Sequence, residues 1–518
     1  MQSGNTFTYV SKHSAQYNAT FNFNCGGGPC TFGTYITGGV WIRDAGQGVN
    51  FTSMTPAVSP GRNGWRVNHS DPVNVPWDDR CAHGYFDTSV IPALPHTVHA
   101  PEVVVKSISY RPELSGIPSG DGGNKQCLIS IVPVNIVADI PSSTAMRPPP
   151  HMPHWRIDSS QANFAMLPSL PPTAAMITQD LAEQRAIGDV HGGMYNDLNR
   201  TYLMGAYVPI GHTPGYVLNG GNSGASGWGG TIRIGYQEAI LRMFSNIPAQ
   251  HKNKLALHIA QRGIDLLGFL ASGDNWMESG GGNAAGRLIP AVFAAELLQS
   301  DTLQAALTAQ IGEFWESSMH YENNQGQAFW GRGYQFGLNH SSYWDEMIRA
   351  VLDVNRDTRD PYAKIDGGTV VADGYMANTS TGTKADAMIA MLMPQLANRI
   401  YALASSRAYL KYGRRMYLSG ASVANDTCKA WPQGCGGVNC GGYGSSWGHN
   451  SVTGTCIPAG AGEATRGDRL GSEGLGAGTQ TLYADRASDY VLAALGTYFP
   501  CVCGGCPGMV APPAGICQ

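Results

Sequence analysis

The stretch CLISIVPVNIVADIPSSTAMRPPPHMPHW, Cys127 to Trp155, divides this chain. Its first half is rich in Val and Ile, β-branched residues that suit a pleated, buried surface. Its second half carries Pro148, Pro149, Pro150 and Pro153. Each proline fixes φ and removes a donor, so the strand pattern stops and a stiff connection begins.

Upstream, TFTYV, ATFNFN, TFGTYITGGVWI and EVVVKSISY repeat the β composition, punctuated by Gly, Pro, Asn and Asp. That spacing predicts an antiparallel β-sandwich or jelly-roll rather than alternating β and α units. Downstream, from about Leu170, the period becomes helical. Leu255, Ile259, Leu266 and Leu270 share a face, as do Ile289, Val292, Phe293 and Leu297. Ile389, Leu392, Met393, Leu396 and Ile400 repeat the pattern, with Pro394 as an expected kink. Further helices are expected over 237–244, 302–315, 343–354, 405–417 and 488–498. Gly-rich loops, GGNSGASGWGG, SGDNWMESGGGN and the 319–344 window, separate them. Helical hairpins with elaborate loops predict an α/α toroid-like domain; an irregular helical bundle has the same periodicity.

The expected fold class is multidomain α+β. An N-terminal antiparallel β-sandwich or jelly-roll covers residues 1–146 and a Pro-rich linker 147–169. A central α/α toroid-like helical domain covers 170–418. A Cys/Gly-rich, disulfide-stapled C-terminal segment covers 419–518.

At 518 residues the chain is long enough for two or three cores. A formal net charge of -4 with 14% charged residues argues against a phosphate-backbone binder, so no nucleic-acid partner is expected. Hydrophobic residues make up 43%, too many for a disordered chain. No apolar run approaches the roughly 20 residues of a membrane span. MQSGNTFTYVSKHS has no basic region followed by an apolar one, so no secretory signal is expected. The retained Met1 favours another exit route, such as lysis of an infected host.

Of twelve cysteines, four lie between Cys25 and Cys127 and eight between Cys428 and Cys517. Even counts in Gly-rich regions predict disulfides and an oxidising environment. Zinc is the competing reading, but the crowded thiols of Cys501, Cys503 and Cys506 lack a clean pair of CxxC knuckles. Neither a metal nor a cofactor is expected.

No HExxH, P-loop or dinucleotide motif is present. The one GxSxG, Gly444 to Gly448 around Ser446, sits in Gly- and Cys-rich sequence instead of between a strand and a helix, so it reads as a chance match. Chemistry must therefore come from clusters. The densest is MHYENNQGQAFWGRGYQFGLNHSSYW, Met319 to Trp344. Flat rings beside amides, imidazoles and a guanidinium suit the faces and edges of sugars. β-Elimination of a uronic polymer needs a base, donors for the carboxylate and an acid for the leaving oxygen. His340 and Tyr343 are the candidate base and acid, with Tyr334 close by. Asn339 and Arg332 are the candidate carboxylate donors and Trp330 the stacking platform. The bland alternative starts a core helix at Tyr343 and Trp344, and Asn339-His340-Ser341 is also a formal glycosylation sequon.

A second cluster, HGGMYNDLNRTY, supplies His191 and Tyr195 as candidate substrate contacts, although Tyr195, Leu198 and Tyr202 also sit at helical packing distance. A third, DNWMESGGGNAAGR, supplies Trp276 and Asn283; Asn283 also reads as an N-cap. Its Asp274 and Glu278 would suit glycoside hydrolysis if paired, and otherwise are solvated charges.

A β-domain followed by a helical domain with aromatic loops is similar to polysaccharide lyases with α/α toroids, of the heparinase and alginate-lyase types. Many of those place the β-sandwich after the toroid. GRNGWRVN, the turn from Pro76 to Arg80, GGNAAGRLIPAVFAAELL and YWDEM also resemble uncharacterised proteins of environmental bacteria and their phages, over much of residues 60–415. That resemblance carries no catalytic residue. The leading expectation is a carbohydrate-active protein acting on an extracellular, acidic polysaccharide by β-elimination. The alternatives are a non-enzymatic virion or surface-assembly protein, which binds a receptor or its own copies as a homo-oligomer or filament, and a glycoside hydrolase. Extracellular or virion-associated localisation follows from any of these.

Overall fold

Alternation of large apolar and small polar residues in some strands, and near-continuous apolar runs in others, build the N-terminal sheets. The computed structural model describes residues 1–10, 18–59, 62–68, 88–109, 128–174, 176, 229–273, 286–318, 320–322, 328–330, 383–403, 406–411, 413, 425–426, 448–450, 455–457, 464–465, 489–498 and 501–502. Its chain divides into two compact units, Met1–Val217 with Gly221–Gln310, and Leu218–Gly220 with Ile311–Gln518.

The first unit opens with a β-sheet region. One sheet orders β1 (Gln2–Gly4), β4 (Cys30–Thr34), β5 (Val40–Arg43), β10 (Leu128–Val137), β9 (Val103–Ser109) and β7 (Trp65–Val67). The other orders β2 (Thr6–Tyr9), β3 (Ala19–Cys25), β6 (Val49–Thr55) and β8 (His96–Val98). Neighbours are antiparallel except β5 and β10, which run parallel. Phe21 and Phe23 on β3, Phe32 on β4, Phe51 on β6, Trp65 on β7, and Val132, Val134 and Ile136 on β10 belong to one hydrophobic core. Each such side chain contributes about 1.5–3 kcal/mol on burial, so this core dominates the stability of the region. A disulfide joins Cys25 to Cys30 across the β3–β4 turn.

The helical region of this unit consists of α1 (Gly229–Phe244), α2 (Ala249–Ala271), α3 (Leu288–Leu298) and α4 (Asp301–Gln310). The expected apolar faces are present: Ile259, Leu266 and Leu270 of α2, and Ile289, Val292, Phe293 and Leu297 of α3, are all buried. Every residue of α3 except Glu296 is buried, as suits a helix that is apolar all round. α2 and α3 approach backbone to side chain. A Cβ on Gly263 would lie 2.2 Å from the Pro290 carbonyl oxygen, so only glycine fits there.

The second unit contains α5 (Trp315–Ser318), the hairpin β11 (His320–Glu322) with β12 (Ala328–Trp330), α6 (Thr383–Leu392), α7 (Pro394–Ala402) and α8 (Asp489–Tyr498). α8 packs against α6. At Pro394 the chain breaks instead of kinking. Met393 is extended at ψ 93° and Pro394 opens α7, the helix position where a missing N–H costs nothing. Short pairings join β13 (Asn425–Asp426) to β16 (Ala464–Thr465) and β14 (Gly448–Asn450) to β15 (Thr455–Ile457). Cys501 is disulfide-bonded. Among the described residues no helix is long and apolar enough to cross a membrane.

Candidate functional site

The polar-aromatic window begins in the β11–β12 hairpin. Tyr, Phe and Trp favour strands, and the NNQGQ sequence between them, Asn323 to Gln327, has turn-forming composition. The register sets His320 opposite Trp330, Tyr321 opposite Phe329 and Glu322 opposite Ala328. Residues opposite one another on paired strands share a face about 5 Å apart. Of the site residues expected from sequence, Trp330 stands here, at the end of β12. His191, Tyr195, Trp276, Asn283, Arg332, Tyr334, Asn339, His340 and Tyr343 lie outside the described residues, as do Asp274, Glu278 and Ser446.

A polar cluster that the sequence reading missed lies in the first unit. His258, Gln261, Arg262 and Asp265 fall at i, i+3, i+4 and i+7 of α2, so one stripe of a largely apolar helix is polar. Opposite it runs the Pro-rich segment after β10. Gln261 Oε1 accepts from the Thr37 hydroxyl at 2.8 Å and from the Arg147 amide at 3.1 Å. Its Nε2 donates to the Arg147 carbonyl at 2.9 Å. Gln261 thus pairs with the main chain of Arg147 as a neighbouring strand would. The Arg147 guanidinium forms a buried ion pair with Asp265 and donates to the Pro148 carbonyl at 3.1 Å. Pro149 closes on the same helix. A Cβ on Gly268 would stand 2.3 Å from Pro149 Cγ, which requires glycine at that turn. The segment read as a stiff connection is therefore docked along α2, with Arg147, Pro149 and Trp155 buried.

Burial pushes the Asp265 carboxyl above the ordinary carboxylate range, opposed by the flanking guanidiniums of Arg147 and Arg262. Burial lowers Arg262. The stripe could have been found from the helical spacing of His258, Gln261, Arg262 and Asp265, which apolar-face counting passes over.

Beside this cluster is a cavity of about 30 Å³, lined by Tyr9, Gly38, Gly39, His258, Gln261 and Arg262 among others. That is room for one water molecule. Sites for small organic ligands run to about 300–1,000 Å³, so the cavity is part of a structural pin and not a sugar pocket. Elsewhere in the unit, Lys106 is fully buried on the core side of β9 and donates to the Asn63 carbonyl. Burial lowers its ammonium to about 7. Asp44 accepts from the amides of Gly46 and Gly48 at 2.7 Å each, and its carboxyl is held below the usual range despite the opposing effect of burial. Those bonds saturate it as a turn former. Among the described residues no group of three or more His, Cys, Asp or Glu could hold a metal ion.

In the second unit, the buried Tyr409 hydroxyl donates to Asp386 of α6. Arg407 and Lys411 lie 5.9 and 5.8 Å from the Tyr401 ring centroid. Compared with protein-family models, curated proteins and solved structures, the chain matches none.

Proposed function

We propose that this chain is a carbohydrate-active protein that acts on an extracellular, acidic polysaccharide by β-elimination. In this reading the two N-terminal sheets form a β-sandwich of jelly-roll type and the helices belong to an α/α toroid. The observation that carries it is the β11–β12 hairpin. It sets His320 across from Trp330, at the start of a sequence window dense in sugar-compatible residues. The Cys25–Cys30 disulfide supports an extracellular setting.

His340 or Tyr343 removes the proton beside the uronic carboxylate. The released electron pair forms the new carbon–carbon double bond as the bond to the leaving oxygen breaks. The other of the two protonates that oxygen. Asn339 and Arg332 hold the carboxylate as charge builds. Tyr334 is close to them in sequence, and Trp330 is the stacking platform for the sugar ring.

The test is ultraviolet absorbance of unsaturated uronides with alginate, pectate, ulvan and glycosaminoglycans. New absorbance that disappears in His340→Ala and Tyr343→Phe is the expected result. Reducing ends without absorbance replace the proposal with hydrolysis. No product from any polymer, with the protein recovered in particles or filaments, replaces it with an assembly role.

A further inference from the structure

The sheet β2–β3–β6–β8 turns Phe21, Phe23, Phe51 and Met54 to the core. Its opposite side carries three registered rows. Thr8, Thr20 and Thr55 make the first row. Thr6, Asn22 and Ser53 make the second. Asn24, Asn50 and Thr97 make the third. Every one of these positions is Thr, Asn or Ser; none is charged and none is aromatic. Thr6, Thr8, Ser53, Thr55 and Thr97 are exposed and the others half-buried.

The side chains are tied to one another across the strands. The Thr8 and Thr20 hydroxyls are 3.0 Å apart. The Thr6 hydroxyl donates to Asn22 Oδ1 at 2.9 Å, and Asn22 Nδ2 donates to the Ser53 hydroxyl at 2.8 Å. Their rotamers are fixed before any ligand arrives, which removes much of the ordering cost of binding. Strands about 4.8 Å apart and alternate residues about 6.7 Å apart turn the rows into a regular array of groups that both donate and accept.

We propose that this face binds an extended, neutral polysaccharide through its hydroxyl edges. An anionic polymer would be met by Lys or Arg, which the rows lack. A protein partner would be met by a buried apolar or aromatic centre, which they also lack. Each hydrogen bond exchanged with water is worth only about 0.5–1.5 kcal/mol, so useful affinity needs many at once. A polymer that repeats the same hydroxyls along its length supplies them. The inference stands apart from the elimination chemistry proposed for the second unit, because a face can hold a chain that the enzyme site never cuts.

The test is depletion of the full chain from solution by insoluble cellulose, chitin and xylan, at low and high salt. Retention should be unaffected by salt, since no charges are paired. It should weaken at least about tenfold in Thr8→Lys/Ser53→Lys and in Asn22→Ala, each assayed at a temperature where circular dichroism shows it folded. Retention by none of the polymers overturns the proposal. So does retention that both folded variants keep, or retention confined to anionic polymers and lost in salt. Shaping of growing ice, or dimerisation removed by the same substitutions, with no polymer retained, reassigns the face and overturns it too. His340→Ala and Tyr343→Phe should leave retention intact, which separates this failure from that of the elimination reading.

Discussion

On β9 and β10 the residues that turn away from the shared core are Val103, Val105, Ser107, Ile131 and Asn135, and all are buried. On β2, β3 and β6 the same outward positions hold Thr6, Thr8, Thr20, Asn22 and Ser53, which stay at least partly in water. The two sheets share one core and differ in what lies behind them. Part of the cover on the first sheet is known: Ala145 packs on Tyr35, Trp41 and Val137, and Gln261 of α2 reaches Thr37. A strand covered on both faces loses alternation and reads as a continuous apolar run. A strand covered on one face keeps it. The difference between the sheets is thus a difference in neighbours, written into the strands themselves.

The comparison breaks most visibly with a charge placed on each outer face. Val105→Asp puts an unpaired carboxylate at a fully buried position and should cost more than about 4 kcal/mol, enough to prevent folding. Thr8→Asp should stay within about 0.5 kcal/mol. Urea unfolding of the two variants gives both numbers. Equal losses would mean that the outer faces are not differently covered.

Next in size is the pin between the covered sheet and α2. Asp265→Ala leaves the Arg147 guanidinium buried without its carboxylate, and breaking a buried pair in this way costs about 3–5 kcal/mol. Asp265→Asn keeps the shape and loses the charge, so it should fall in the same range. A change below about 1 kcal/mol in urea would show that solvent reaches the pair.

Much of this arrangement was legible in the sequence. Val103 to Ser109 and Leu128 to Val137 declared strands by composition. Ile289, Val292, Phe293 and Leu297 declared a helix by spacing. The break at Pro394 was read as a kink because periodicity continues on both sides; the phase of a pattern does not report an extended Met393. The docking of Arg147 on α2 was hidden for another reason. Gln261 and Asp265 lie more than a hundred residues from Arg147, and long-range polar pairing leaves no local signature. The polar-aromatic window reads as a Gly-rich loop, and the hairpin that pairs Tyr321 with Phe329 departs from that reading. The roles proposed for His340 and Tyr343 depend on spatial neighbours that no spacing specifies.

A pH dependence sharpens the contrast between the shared core and its surroundings. Lys106 is lowered from 10.5 to about 7 by burial. Between those values the unfolded chain holds a proton that the folded chain has released. Stability therefore rises with pH across that window, by up to about 1.4 kcal/mol per pH unit. Below about pH 7 both states are protonated and this contribution to the slope vanishes. Lys106→Met should remove this component of the slope and be more stable than the parent near neutrality. Urea midpoints measured from pH 6 to pH 10 on both proteins check it. A parent and variant with parallel profiles would place the Lys106 amine in water.

The smallest effect concerns an amide on the covered face. Asn135 is 1% exposed, and neither Nδ2 nor Oδ1 has a hydrogen-bond partner among the described residues. Its cross-strand neighbours, Val103 and Trp41, offer no side-chain acceptor. A buried polar group left unsatisfied costs about 1–3 kcal/mol, and a β-branched residue of similar size suits the strand better. Asn135→Val should therefore gain about 1 kcal/mol in urea unfolding, whereas Asn22→Val on the open sheet should lose stability, because it severs the bonds to Thr6 and Ser53. The opposite signs are the sharpest form of the contrast: the same exchange helps where the face is covered and hurts where it is wet. If Asn135→Val destabilises instead, an ordered water satisfies the amide, and the covered face is less dry than its valines imply.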